Sequence, residues 1–158
     1  MSRNKNLDLE DSKVEDGIER ASKLDFHALL ELWESSVRAT HHFLSEQNIE
    51  QLRPIVLEQA FPNVEMFLTR DRQGKIAGFI GVDNQSVEML FISPHCFRQG
   101  IGKKLMYFAE NQLATNKVDV NEQNPDALKF YLALGYEVKN RSPLDGQGNP
   151  FPILHLEK

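Results

Sequence analysis

The stretch of this 158-residue chain best suited to chemistry runs from Leu90 through Ile92, Pro94, Gly100 and Gly102 to Leu105. An apolar strand pattern stops at Pro94, a short loop carries glycines at 100 and 102, and a helical pattern starts there. A helix opened this way leaves backbone N–H groups unpaired at its N-terminus. Glycine lets a ligand approach them closely, and the helix dipole adds positive potential, so the stretch suits a pyrophosphate. Arg98, Lys103 and Lys104 add cationic charge beside it. Gly-x-Gly before a helix also writes an ordinary tight turn. The full dinucleotide pattern Gly-x-Gly-x-x-Gly is absent, as is Gly-Lys-Ser/Thr, which argues against NAD or a nucleoside triphosphate as ligand.

The elements that must position this loop can be read from the spacing of apolar residues. A first strand is predicted over 17–21, followed by Ser22 and Asp25 as a capping box. Phe26, Leu29, Leu30, Trp33 and Val37 then recur at helical spacing. A second helical stretch over 46–60 contains Pro54, which should kink or restart it. Strands are predicted over 65–69 and 75–82 around a turn at 71–74, and over 87–92 after a turn at 83–86. A helix over 100–113, a short strand over 118–120 and a helix over 124–134 follow. The last is punctuated by Asn124 as cap, Pro125 in the first turn and Gly135 just past the end. Strands over 136–139 and 153–156 close the pattern, with a Gly/Pro-rich loop over 142–152 between them. This order implies an α/β fold around a mixed sheet. A charged, flexible lead-in over 1–16 is expected, and a single domain over 17–158.

Composition narrows the function classes. Hydrophobic residues at 41% and charged residues at 26% fit a folded soluble protein. No apolar run approaches the roughly 20 residues that span a bilayer, so no membrane role is expected. The net charge of −5 argues against nucleic acid as a partner and mildly favours a cationic substrate. Cys96 is the single cysteine, which excludes an internal disulfide and a multi-thiolate metal site and fits a reducing cytoplasm. It reads as a small packing residue. His41 and His42 are adjacent, so on a helix they face different sides and make a poor metal pair; no metal is expected.

A second segment decides between these readings. Asn121, Asn124, Ala127, Tyr131, Gly135 and Tyr136 are spaced as Asn-x-x-Ala-x-x-x-Tyr-x-x-x-Gly-Tyr from Asn124 onward. With the glycine loop before it, the chain resembles the GNAT superfamily of N-acetyltransferases, and within it a bacterial subfamily typified by YjaB. The subfamily likeness lies in residues 39–44, 120–124 and 140–156. The resemblance implies a GNAT-like fold: a mixed, mainly antiparallel central sheet flanked by helices. It also implies transfer of an acetyl group from acetyl-CoA to a primary amine by direct attack, the amine being a protein lysine, a protein N-terminus or a small molecule. An acyl-CoA-binding sensor without turnover is the alternative. A monomer or homodimer is expected.

The resemblance also implies site residues. Gly100 and Gly102 fall on the family's glycines, and Phe97 stands where the family carries arginine or glutamine, with Arg98 next to it. The coenzyme A site is therefore assigned to Phe91, Ile92, Phe97, Arg98, Gln99, Gly100, Ile101, Gly102, Lys103, Asn124, Ala127 and Tyr131. A backbone N–H near Phe91 or Ile92 would face the oxyanion. Tyr131 is the candidate acid for the leaving thiolate, since a phenol with a pKa of about 10 is protonated at neutral pH. Asp119 aligns with a strand acid of some family members and is the assigned base, with Glu88, His41 and His42 as other candidates. His41, His42 and Phe43 are assigned to the acceptor pocket.

Overall fold

The computed structural model describes residues 16–158. Apart from Asp16, the expected lead-in over 1–16 lies outside the described residues. Seven strands form one sheet in the order β1-β2-β3-β4-β5-β7-β6. They are β1 Ile18–Arg20, β2 Glu65–Arg70, β3 Ile76–Asp83, β4 Ser86–Ile92, β5 Lys117–Asn121, β6 Glu137–Ser142 and β7 Ile153–Glu157. Every neighbouring pair is antiparallel except β4 with β5. The mixed, mainly antiparallel α/β architecture expected from the sequence is the one found.

Alternation along the strands builds a core on each face of the sheet. Phe67, Ile80, Val82, Val87, Val118, Val120, Leu154 and Leu156 point to one side. There they meet helices α3 (Ile101–Gln112) and α4 (Pro125–Ala133) through Leu105, Phe108, Ala109 and Tyr131. Met66, Leu68, Phe79 and Met89 point to the other side. They meet helix α1 (Phe26–Thr40) through Leu29, Leu30, Trp33 and Val37, and helix α2 (Glu46–Ile55) through Ile49. Leu29, Leu68 and Phe79 are fully buried, and each such side chain contributes about 1.5–3 kcal/mol of apolar transfer energy.

One local expectation changes in detail and one holds. Pro54 lies inside α2 and does not stop it at once; the chain widens two residues later into a π-helical segment, Val56–Ala60, and then a 3-10 turn, Phe61–Asn63. Proline withholds one N–H from the helical ladder, and a wider turn is one way to take up the mismatch. The capping box of Ser22 and Asp25 is present, Asp25 accepting the Ser22 N–H at 2.9 Å, and it encloses a 3-10 turn over 23–25 before α1 begins.

α1 and α2 are joined by an ionic cluster. Glu34 accepts from Arg38 at 3.0 Å and also pairs with Arg53. Partial burial works to raise the Glu34 carboxyl, but the two guanidinium hydrogen bonds outweigh it and hold the pKa below its ordinary value. A lowered folded-state pKa gives stability that is present above the unfolded pKa and lost as pH falls through the folded one. The melting temperature of Glu34→Gln should therefore lie below wild type above the ordinary carboxylate pKa, and the gap should close as pH falls through the lowered folded-state pKa. A gap that does not depend on pH would show that the ion pairs contribute nothing.

Candidate active site

The site is organised by a gap in the sheet. β4 and β5 pair only at Ser86 with Lys117 and Val87 with Val118. The register of β4 on β3 jumps from Met89 opposite Gly81 to Val87 opposite Val82, which makes Glu88 the extra residue of a β-bulge. A bulge bends its strand and sharpens the local twist, and past it β4 runs on with no partner on the β5 side. The Ser93 N–H donates to Ala77 O at 2.8 Å. Antiparallel pairing alternates, so Phe91 spends its amide on β3 while Leu90 and Ile92 turn theirs toward the gap. Of the two residues expected to offer an N–H there, geometry selects Ile92. Phe91 contributes its ring instead, 5.7 Å from Phe79.

The gap leads to the glycine loop. After the turn Pro94–Cys96, Arg98 has φ 63° and Gly100 has φ 79° as the N-cap of α3. Gly100 needs its left-handed backbone, whereas a Cβ there would meet open space. Gly102 is different: a Cβ would lie 3.3 Å from the Phe130 ring of α4. Its smallness lets the two helices approach, a reason the sequence motif does not reveal. Gly78, which no sequence motif marks, plays the same part beneath the strand, since a Cβ there would lie 2.8 Å from Ile92 and 3.0 Å from Ile101. Among the described residues no side chain caps α3. Among the described residues Arg98, Lys103 and Lys104 have no acidic partner. Uncapped N–H groups, three unpaired cations and open space over Gly100 fit a diphosphate. Phe97 is 36% exposed, Gln99 donates to His95 O at 3.4 Å, and Cys96 is buried beneath them.

On the far side of the gap, Asn124 caps α4, its Oδ1 accepting the Ala127 N–H at 3.2 Å. Tyr131 follows one and two turns on from them and is 6% exposed, with Phe130 and Tyr136 edge-on to its ring. Its hydroxyl has no hydrogen-bond partner among the described residues. Burial pushes the phenol above its ordinary pKa, so it stays a proton donor across the physiological range.

The α1 face of the gap holds the remaining candidates. The His41 ring lies 5.4 Å from Phe43 and 6.3 Å from Phe91, and Phe43 lies 5.5 Å from Phe151 of the β6–β7 loop. His42 is exposed and takes no part in this aromatic group. Burial, with a smaller push from His42, lowers the His41 pKa to about 4. Glu88 lines a cavity of about 340 Å³ with Gln59 and Ala60 from the π-helical segment, Asn63, Met89 and Gln147. Desolvation and the nearby Asp119 carboxylate raise the Glu88 pKa. Asp119 faces the same side and bonds His155 Nδ1 at 2.7 Å; His155 Nε2 meets Ser142 Oγ at 2.6 Å. Phe151, Gln147 and His155 were not expected, because loop closure and strand order bring them here, and no local pattern encodes either.

The family model for the acetyltransferase (GNAT) domain matches residues 34–151. The chain belongs to the GNAT family. It is 34% identical over 139 residues to the peptidyl-lysine N-acetyltransferase YjaB of Salmonella typhimurium, covering 88% of this chain and 95% of that protein. The solution structure of apo YjaB from Escherichia coli superposes with a TM-score of 0.80 at 31% identity, over 89% of this chain and 95% of that one. The PaiA N-acetyltransferase of Thermoplasma acidophilum shares the fold, with a TM-score of 0.70 at 20% identity over 89% and 98% of the two chains. The chain is thus a GNAT N-acetyltransferase, and its gap between β4 and β5 is the feature around which its candidate residues gather.

Proposed function

We propose that this GNAT chain transfers the acetyl group of acetyl-CoA to the ε-amino group of a peptidyl lysine. The observation that carries the reading is the parting of β4 from β5. It joins an anion cradle on the α3 side to an acidic, aromatic cleft on the α1 side. The relatives named as peptidyl-lysine N-acetyltransferases support lysine as the acceptor.

Acetyl-CoA, when bound, supplies an activated thioester. This chain's residues do the rest. The α3 N-terminus, Arg98 and Lys103 hold the diphosphate, and the Ile92 N–H faces the carbonyl oxygen as it gains charge. The Tyr131 hydroxyl donates a proton to the departing sulfur. Asp119 and Glu88 are the carboxylates of the acceptor face that can take up the proton of the attacking amine. The raised pKa of Glu88 brings it closer to that task, while the His155 hydrogen bond holds Asp119 in place. The proposal places the enzyme in the cytoplasm, as a monomer or homodimer acting on an amine without metal, nucleic acid or membrane; the net charge of −5 and the single buried thiol support this.

The test is thiol release from acetyl-CoA across lysine peptides and small amines. Acetyl-CoA at about 100 times its dissociation constant should also raise the melting temperature by roughly 5–10 °C. No shift at millimolar acetyl-CoA sinks the assignment. The exposed Phe97 in the cradle favours one second reading, a sensor that binds without turnover. Binding with no thiol release across a broad panel would establish it.

A further inference from the structure

α1 ends in a hydrogen-bond relay that fixes the state of His41. The Thr40 hydroxyl donates to Ser36 O at 2.8 Å. That bond uses its single proton, so toward His41 Nδ1, 2.7 Å away, it acts as the acceptor. Nδ1 therefore carries the imidazole proton, and Nε2 carries a lone pair. The ring is tilted against Phe43 and Phe91, which desolvates it and keeps it uncharged at neutral pH. Nε2 has no hydrogen-bond partner among the described residues. A neutral ring with one fixed lone pair that no described protein group satisfies sits against the ring of Phe91, on the strand that borders the gap.

We propose that His41 Nε2 is the hydrogen-bond acceptor that holds an N–H of the incoming lysine amine, so that His41 orients the acceptor on the Phe91 side of the gap. The proposal rests on the acetyl-transfer reading above and goes further by naming the group that grips the acceptor. A charged imidazole in that place would repel an ammonium, and the opposite tautomer would offer it a second donor. Ser36, Thr40, Phe43 and Phe91 together select the only form that can accept.

The experiment pairs imidazole ¹⁵N NMR of the full chain at neutral pH with steady-state kinetics on a lysine peptide. The spectrum should show Nδ1 protonated and Nε2 bare. Added lysine peptide should move the Nε2 resonance, and a trimethyl-lysine peptide, having no N–H, should leave it in place. His41→Phe keeps an aromatic ring without the lone pair, and Thr40→Val removes the group that sets the tautomer. Each should raise the peptide KM about tenfold or more while the acetyl-CoA dissociation constant stays within about twofold. Thr40→Ser, which keeps the hydroxyl, should restore the wild-type KM. A protonated Nε2, a lysine peptide that binds without moving it, or a defect confined to acetyl-CoA affinity would overturn the proposal. Because the spectrum needs no turnover, absence of acetylation would count against the enzymatic reading while the peptide-induced shift still decides the role of His41.

Discussion

Tyr131→Phe is expected to lower kcat by roughly 10²–10⁴ while leaving the dissociation constant of acetyl-CoA near wild type. The substitution removes one oxygen and keeps the ring, so the edge-on contacts with Phe130 and Tyr136 survive. The hydroxyl forms no hydrogen bond within the described protein, and its loss strands no buried partner. Stability should therefore hold, and any rate effect can be assigned to the proton. Thiolate is a poor leaving group when its charge is left bare in a desolvated cleft, and a donor held protonated by burial answers that need. Equal kcat in the two proteins would show that Tyr131 only packs. A loss of about threefold to tenfold would point to water or the departing ammonium as the proton source.

The second large effect concerns Gly102→Glu, which should weaken acetyl-CoA binding by more than about 100-fold with the fold retained. Its Cβ would press on Phe130 at 3.3 Å, a contact that a small shift of the ring can relieve. The carboxylate is the larger effect. α3 begins without a side-chain cap, and a glutamate in its first turn interacts favourably with the free N–H groups and the helix dipole. The new side chain would thus stabilise the helix by occupying the place proposed for the phosphate. Gly102→Ala separates the two causes: it adds the steric contact without the charge and should bind within about tenfold of wild type. Titration calorimetry on both variants checks the pair. Wild-type affinity in Gly102→Glu would reduce the glycine loop to a turn.

What could be read in the sequence was local. Asn124 and Gly135 mark the ends of α4 because caps act within a few residues, and both behave as their types dictate: Asn124 bonds the Ala127 N–H and Gly135 has φ 100°. The stripe from Leu29 to Val37 is buried because helical periodicity is a property of neighbouring turns. The extra residue at Glu88 was not legible, because a bulge is defined by what lies opposite it on β3. Nor was the insertion of β7 between β5 and β6, which sets Asp119 beside His155 across 36 residues. The acceptor cleft was half seen: His41 and Phe43 stand out by type, but Phe91 and Phe151 meet them only after the sheet and its last loop are in place.

The parted strands have a consequence for solubility. Among the described residues β4 has no partner on the β5 side from Glu88 to Ile92, which makes a sheet edge in the middle of a sheet, with the amides of Leu90 and Ile92 turned toward it. Unpaired edges template the addition of other strands and are a route to aggregation. Here the edge is short and flanked by helices on both faces, and an extended ligand lying in the gap would satisfy its amides. The donor molecule would then act as a guard of the exposed edge as well as a reactant, and the protein would be most open to self-association when its cosubstrate is scarce.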